Sequence, residues 1–556
     1  MVGRLFERLA TPVRGLHQAA YLLAALTLAS QALALLRDRT FAHAFGAGHV
    51  LDLYYAAFRI PDLVFALVAS LVSAYVLIPR IAGLDREATR RLISESSSFL
   101  LIAGGTLCLV LAIFAPTLLF ILYPDFAASP LRDPFILLTR ILLLQPIILG
   151  ISGIVTSVTQ VHRRFVLFAL SPVLYNLGII LGTVFLYPRF GLPGIGIGVV
   201  AGALAHAAIH IPVLRNAGVL PRLTLPRVRD LLPLIRDSIP RSLALGMGSL
   251  TALVLTAFAS RIGTGSVSVF TFAFNLEAVP LALIGASYAV AAFPALSEAS
   301  ALRDKEEFTR VLVASARHII LWSTVFLGLI VVLRAHIVRV VLGTGAFGWG
   351  PTRLTAALLA LLVLGLLAQG LVLLFSRALY AAKQSWRPLL YQFTGGALTV
   401  LFALYFLSLP ATGLPAELAT WLRVGDVAGS RILLVALAST IGQIFLLALS
   451  LIALRKEAPQ LTSRLLAPLA GGLLAAVAGG AATYGILTIE GGIAPLTTLV
   501  AVATEGLVAG AVGLAASAAV LSLIGNEEFR DVTASLRRFA EARLFLPPSA
   551  EEPAHH

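Results

Sequence analysis

Long runs of apolar residues, separated by short polar stretches, set the pattern of this chain. The runs are continuous rather than alternating, so they read as helices and not as half-buried strands. Fourteen reach the roughly 20 residues that a helix needs to cross a bilayer. They fall near 17–37, 50–80, 92–123, 134–161, 165–187, 192–214, 232–261, 266–296, 315–342, 353–381, 387–409, 431–454, 465–488 and 494–524. A transmembrane barrel would show short segments of alternating polarity instead.

Basic residues gather in alternate loops. One set comprises the N-terminus, 80–91, 162–164, 215–229, 303–317, 377–387, 455–456 and the tail; the opposite loops hold chiefly Arg132, Arg189, Arg261, Arg334 and Arg423. The positive-inside rule then places both termini in the cytoplasm, which an even number of spans satisfies. The chain also repeats itself. "SPVLYNLGII" (171–180) recurs as "RPLLYQFTGG" (387–396), and "IPRIAGLDREATRRL" after the second span echoes "FPALSEASALRDKEEFTRVL" after the eighth. One offset of about 216 residues serves both pairs. Six helices recurring in parallel describe a transporter built from two like-oriented bundles.

The expected fold is therefore an all-α polytopic membrane protein with about 14 transmembrane helices. Two parallel six-helix lobes (1–220 and 221–457) are followed by a C-terminal helical hairpin (458–525) and a cytoplasmic tail (526–556). Within the tail, 526–543 reads as a helix with Asn526 at its N-cap and Glu527 and Glu528 in its first turn. Such a helix is either solvated or laid on the membrane surface, and a disordered end follows it. The opening "MVGRLFERLATPVRGLHQAA" reads as a basic amphipathic lead into the first span, with no cleavable signal.

Composition agrees with a membrane protein. The 556 residues are 59% hydrophobic and 12% charged, with mean hydropathy +0.95, against roughly 25% charged in soluble domains. A single cysteine, Cys108, excludes a disulfide framework. The net charge of +14 follows from basic cytoplasmic loops and implies no nucleic-acid partner. There is no P-loop motif and no nucleophile–base pair, so the chain reads as a non-enzyme without a cofactor. His206 and His210 have the i, i+4 spacing of a metal pair but lack a third ligand, so no metal site is expected. Energy for transport would come from the membrane potential, an ion gradient or consumption of the product on the far side.

The chemistry concentrates in residues 30–80. Two apolar segments flank a polar elbow holding Arg37, Asp38, Arg39 and Asp52, and Arg59 and Asp62 follow inside the second segment. A charge at bilayer depth costs about 2.5–3.5 kcal/mol on insertion scales, so these groups must pair, reach the interface or face water. Guanidinium forks suit diphosphates. Arg37 reads either as a phosphate ligand or as an interfacial anchor for Asp38, and Arg59 either faces a wet cleft or snorkels. Asp52 either neutralises an arginine or caps a helix. Asn275 and Glu277 lie within the eighth span, and Arg241 follows Pro240 at the start of the seventh.

These stretches resemble the MurJ (MviN) family of lipid II flippases, within the superfamily that also holds MATE exporters and polysaccharide flippases. "LLRDRTFAHAFGAGHVLDLYYAAFRIPDL" is similar to the family's first hairpin, and "GSVSVFTFAFNLEAVPLALIGASYAVAAFPALS" to its eighth span. "GAF" at 345–347 and the Arg377-to-Pro388 turn also match. The resemblance implies a central cavity lined by spans one, two, seven and eight, which takes the diphosphate of a polyprenyl-linked muropeptide. It carries the family's R-D pair onto Arg37 and Asp38, its acid onto Asp52 and its first-span serine onto Ser30.

The chain also departs from that pattern. Gln31, Phe65, Ala66 and Asn275 stand where the family has arginines, Ala69-Ser70-Leu71 replaces its A-E-G, and Ala278 replaces a glutamate; Glu277 lies one position away. Either Arg59 and Arg241 take over the phosphate contacts or the substrate differs. The expected substrate-binding set is thus Ser30, Arg37, Asp38, Asp52, Arg59, Arg241, Asn275 and Glu277.

The expected function is alternating-access flipping of lipid II across the bacterial cytoplasmic membrane. The alternatives are a flippase for another polyprenyl-diphosphate-linked glycan and a MATE-like ion-coupled exporter, and cell-wall synthesis enzymes are candidate partners. A coupling ion is not identified: the eleventh span, "LLYQFTGGALTVLFALYFL", offers no acid for sodium.

Overall fold

The computed structural model describes residues 16–490 and 498–534. The lead before residue 16, the tail from 535 onward with its expected helix end and disordered terminus, and hence the cytoplasmic placement of both termini, lie outside the described residues. Those described are overwhelmingly helical, with no β-strand among them. Twelve helices among them are long and apolar enough to cross a membrane. A thirteenth is counted if Trp349–Val363 and Leu366–Ala381, bent by 47° at their junction, form one broken span. The remaining expected span corresponds to Leu16–Phe45, a 30-residue helix outside those twelve that carries Arg37, Asp38 and Arg39 in its second half. The protein is thus an all-α polytopic membrane protein with twelve or thirteen spans by this measure.

Two compact units emerge from the packing. The first takes the described residues up to Val279 with Ile337–Gly365 and Lys383–Ser450; the second takes Pro280–His336, Leu366–Ala382 and the chain from Leu451. The first unit holds the helices that build the site: α1 (Leu16–Phe45), α2 (His49–Leu67), α3 (Phe165–Leu181), α4 (Leu192–Ala208), α5 (Val228–Ser260) and α6 (Ser266–Leu281, whose last two residues belong to the second unit).

Small residues let several of these backbones approach closely, as is usual where lipid supplies no hydrophobic drive between helices. In α3 and α4, a Cβ on Gly178 would lie 2.4 Å from the Gly202 Cα, and one on Gly202 would lie 2.6 Å from the Tyr175 carbonyl oxygen. That contact fixes the height of Tyr175 and Asn176. Gly246 of α5 admits the Leu67 side chain of α2, and in the turn after α2 Ser70 donates to the Ser242 hydroxyl of α5 at 2.7 Å. The turn after α1 locks onto residues 340–346: Arg39 Nη1 donates to the Val340 carbonyl (2.7 Å) and the Val341 carbonyl (3.1 Å), and Ala346 N donates to the His43 carbonyl (3.1 Å). On the loop at Asp426, Arg353 forks both carboxylate oxygens at 2.7 Å and holds that carboxyl below its ordinary pKa by direct hydrogen bonding.

In the second unit, α7 (Lys305–Leu342, whose last residues belong to the first unit) packs on Leu461–Glu490, where Gly328 meets the Ala476 backbone. Leu461–Glu490 also packs on α8 (Leu499–Leu523), with Ser517 Oγ donating to the Ala475 carbonyl at 2.9 Å. Glu505, an isolated acid in the hairpin, meets His336 Nε2 at 3.1 Å. Asn526 caps the following helix by accepting from Phe529 N at 2.8 Å. Arg317 reaches Glu527 at 2.9 Å and also Glu528, so the tail's start is docked rather than solvated.

Replacing Gly202 with Leu should wedge α3 from α4 and destabilise the protein by about 1–3 kcal/mol, the usual range for overpacking. Gly248→Ala, where nothing lies within 4 Å of an added Cβ, should be neutral or slightly stabilising in its helix. Thermal unfolding in detergent reads both; equal melting temperatures for the two variants would contradict the close helix contact.

Candidate functional site

Helix α2 carries Asp52, Tyr55, Arg59 and Asp62 at steps of three, four and three residues, which places them in one stripe. Helix α6 carries Ser268, Thr271 and Asn275 at steps of three and four. The two stripes face each other. Asp52 with Ser268, Tyr55 with Thr271 and Arg59 with Asn275 are each separated by 216 residues, the offset of the sequence repeat. The first pair is hydrogen-bonded, and the other two line one cavity.

That cavity has a volume of about 150 Å³. Its polar lining is Arg37, Arg59, Asp62, Asn275, Thr271 and the tyrosines 54, 55 and 175; Phe41, Phe58 and Ile179 complete the wall. The rings pack edge to face, Phe41 to Tyr54 at 4.8 Å and Tyr54 to Phe58 at 4.9 Å between centroids. A tight aromatic wall of this kind holds its polar groups in place.

The charges are tied in by hydrogen bonds that cross the chain. Arg37 donates from Nε (3.0 Å) and Nη2 (2.8 Å) to Asp38 Oδ1 and from Nη1 to Asn176 Oδ1 (3.0 Å). Asn275 Nδ2 donates to the other Asp38 oxygen at 2.9 Å. Asp38 is only 2% exposed, so this pairing offsets the cost of burying it. Arg59 donates from Nε to Thr256 Oγ1 on α5 at 2.8 Å. Its two terminal nitrogens have no partner among the described residues and are left to the cavity. The Tyr55 and Thr271 hydroxyls, in residues each 7% exposed, are buried without a hydrogen-bond partner among the described residues.

Of the eight residues expected from the sequence, Arg37, Arg59 and Asn275 line the cavity, and Asp38 is the shared acceptor of Arg37 and Asn275. The other four lie elsewhere. Asp52 is fully buried and accepts from Gly265 N (2.5 Å), Ser268 N (2.8 Å) and Ser268 Oγ (2.6 Å). It caps the start of α6 across the structure rather than facing an arginine. Gly265 has φ +87°, and a Cβ there would strike the Ala47 carbonyl oxygen at 2.5 Å; only glycine fits this turn. Ser30 lies two turns before Arg37 on α1, Arg241 contacts Ser73 Oγ at 3.5 Å, and Glu277 is buried outside the lining.

Sequence reasoning missed the tyrosines, Asn176, Thr256 and Thr271. The signal available was the spacing of Tyr54, Tyr55, Phe58, Arg59 and Asp62, a helical stripe that mixes aromatic and charged residues. Other polar groups expected within spans proved structural. His206 meets Ser152 Oγ at 2.7 Å, His210 meets Thr156 Oγ1 at 2.9 Å and Thr159 Oγ1 at 3.1 Å, and Arg140 donates to the Ala112 carbonyl at 2.9 Å. Among the described residues no group of three or more His, Cys, Asp or Glu side chains could hold a metal.

Comparison with known proteins adds the family context. The family "Lipid II flippase MurJ" matches residues 41–489. A relative from Burkholderia cenocepacia, named lipid II flippase MurJ, is 28% identical over 312 residues, covering 53% of this chain and 60% of that protein, less than two thirds of its length. A solved structure of lipid II flippase MurJ in an inward closed conformation superposes with a TM-score of 0.71 at 19% identity, covering 92% of this chain and 100% of the other. An inward-facing multidrug resistance MATE family transporter of the MOP superfamily gives a TM-score of 0.59 at 18% identity, over 77% of this chain and 98% of that one. At these identities the structural likenesses speak for the fold alone.

Asp52→Ala should leave the Gly265 and Ser268 amides buried without an acceptor, at about 1–3 kcal/mol for each. Asp52→Asn, which keeps one carbonyl oxygen, should lose less. Hydrogen exchange at those two amides, with melting temperature, checks this. Unchanged protection in Asp52→Ala would show that the cap is dispensable.

Proposed function

Because the chain belongs to the lipid II flippase MurJ family, we propose that it carries lipid II from the inner to the outer leaflet of the bacterial cytoplasmic membrane, with Arg59 and Arg37 receiving the diphosphate. The observation that carries the site assignment is the free end of Arg59. A guanidinium tethered by Nε alone is oriented yet retains four N–H donors directed at a cavity, and a diphosphate offers the matching acceptors. Arg37, on α1, lines the same cavity and contributes positive charge while Asp38 and Asn176 hold it in register. The tyrosine and threonine hydroxyls supply neutral donors beside them.

A volume of about 150 Å³ has room for a small polar group and some water. The diphosphate is of that scale, whereas a muropeptide is many times larger. Loading therefore requires the wall to open, as alternating access between the two repeat-related bundles would do. The polyprenyl tail stays in lipid throughout. Transport needs no bond-making chemistry from the protein.

One observation favours a second reading, a flippase for another polyprenyl-diphosphate-linked glycan. Asn275, at a position where the resemblance expects arginine, spends its amide on Asp38 and adds no charge to the cavity. The diphosphate contacts are common to both substrates; the sugar is not. A cation exporter of the MATE kind fits less well, since two guanidinium groups line the same space.

In cells depleted of their own lipid II flippase, the wild-type chain should restore growth and Arg59→Ala should not. Losing charge-assisted bonds worth about 1.5–3 kcal/mol should weaken binding of undecaprenyl diphosphate to the purified protein at least tenfold. Arg59→Lys, which keeps charge but not the fork, should fall between. Full rescue and unchanged affinity in Arg59→Ala would remove Arg59 from the site. Rescue by the wild type only when another lipid-linked glycan is supplied would establish the second reading.

A further inference from the structure

Among the described residues Asp62 is the one cavity-lining carboxylate. It makes no hydrogen bond and no ion pair among the described residues, although it sits one turn beyond Arg59 on α2. An acid at bilayer depth without a direct partner is costly and marks a functional position by default. It also complicates anion binding. Arg37 is balanced by Asp38, and Arg59 is balanced only by the field of Asp62, so the four charges sum to zero. A diphosphate bearing about two negative charges would enter a space with no net positive charge and with a carboxylate in its wall, and like charges in a poorly solvated site disfavour one another's ionised forms.

We propose that Asp62 is an exchangeable counter-ion, ionised opposite Arg59 when no anionic headgroup is present and protonated when one binds, so that loading of the cavity takes up one proton. Protonation removes the repulsion, frees Arg59 to serve the phosphate, and turns Asp62 into a hydrogen-bond donor to it. The buried, unpartnered hydroxyls of Tyr55 and Thr271 flank the same space and are further donors for phosphate oxygens. The proton returns to solvent when the headgroup leaves, so loading from one side and release to the other would carry that proton across with the substrate.

No other group on the surrounding helices competes for this role. On α2 itself the neighbours are Tyr54, Tyr55 and Arg59; on α1, Arg37 is already paired with Asp38; on α3 there is Tyr175; on α6, Thr271 and Asn275 do not titrate. Helix Arg132–Leu142, also packed on α2, commits Arg140 to the Ala112 carbonyl. The charges of α5 lie near its start, where Asp237 meets Arg80 at 3.2 Å and Arg241 meets Ser73.

This inference rests on the diphosphate reading above, and the test separates the two. Undecaprenyl diphosphate is titrated into the full chain in lipid nanodiscs between pH 5.5 and 8.5, and proton uptake is measured by calorimetry in buffers of different ionisation enthalpy. The wild type should take up one proton more per lipid bound than Asp62→Asn, and its affinity should fall up to tenfold more per pH unit on the alkaline side. Asp62→Glu should behave as wild type. The free lipid's own phosphate titration is common to all three proteins and cancels. Equal proton counts and equal pH slopes in wild type and Asp62→Asn would overturn the role of Asp62 while leaving the diphosphate site intact. Failure of the wild type to bind the lipid at any pH would overturn both.

Discussion

Charge at bilayer depth must be compensated, and the first unit is arranged around that requirement. Arg37 and Asp38 are adjacent in sequence, yet their pairing alone would leave half of each group's hydrogen-bonding capacity unmet. Asn176 from α3 takes the remaining Arg37 nitrogen and Asn275 from α6 takes the second Asp38 oxygen. Three helices are therefore pinned by one buried network, and partly satisfied networks of this kind are destabilising. The glycine contact between α3 and α4 sets the height at which Asn176 arrives. The Asp52 cap does the same for α6 and hence for Asn275. Packing far from the cavity thus fixes the few ångströms that decide whether the arginines face substrate or each other.

Much of this was legible in the chain. Continuous apolar runs located the helices, some ends being off by eight to ten residues (Leu16–Phe45 against 17–37, Lys305–Leu342 against 315–342), because membrane insertion depends on a local quantity, the hydropathy of about 20 residues. The cost of intramembrane charge singled out Arg37, Asp38 and Arg59 for the same local reason. Partners were harder to read. Asp52 and Glu277 are both acids within expected spans, but one is satisfied by amides more than 200 residues away and the other lies outside the cavity lining. A sequence shows that a buried acid needs donors; only the fold shows which ones. The tyrosines were overlooked because an aromatic stripe at helical spacing serves a core as readily as a binding site.

The repeat carries further than its motif matches suggest. Positions related by the 216-residue offset meet across the site, and their chemistry has diverged: acid against serine, tyrosine against threonine, arginine against asparagine. A cavity whose two walls descend from one ancestral helix would begin symmetric. Here one wall carries charge and the other carries neutral hydrogen-bonding groups. That asymmetry suits a ligand whose anionic group is held by one helix face while neutral donors meet it from the other.

The account depends on substrate diphosphate occupying the space between these two stripes. Cys108, the only native cysteine, is buried, so a single cysteine introduced at Thr271 can report on that space. The rate of its modification by a small methanethiosulfonate reagent, measured with undecaprenyl diphosphate or with uncharged undecaprenol present, tests the claim most directly. The account predicts that the diphosphate lipid slows the reaction severalfold and that the alcohol does not. Equal rates with both lipids would place the substrate somewhere else.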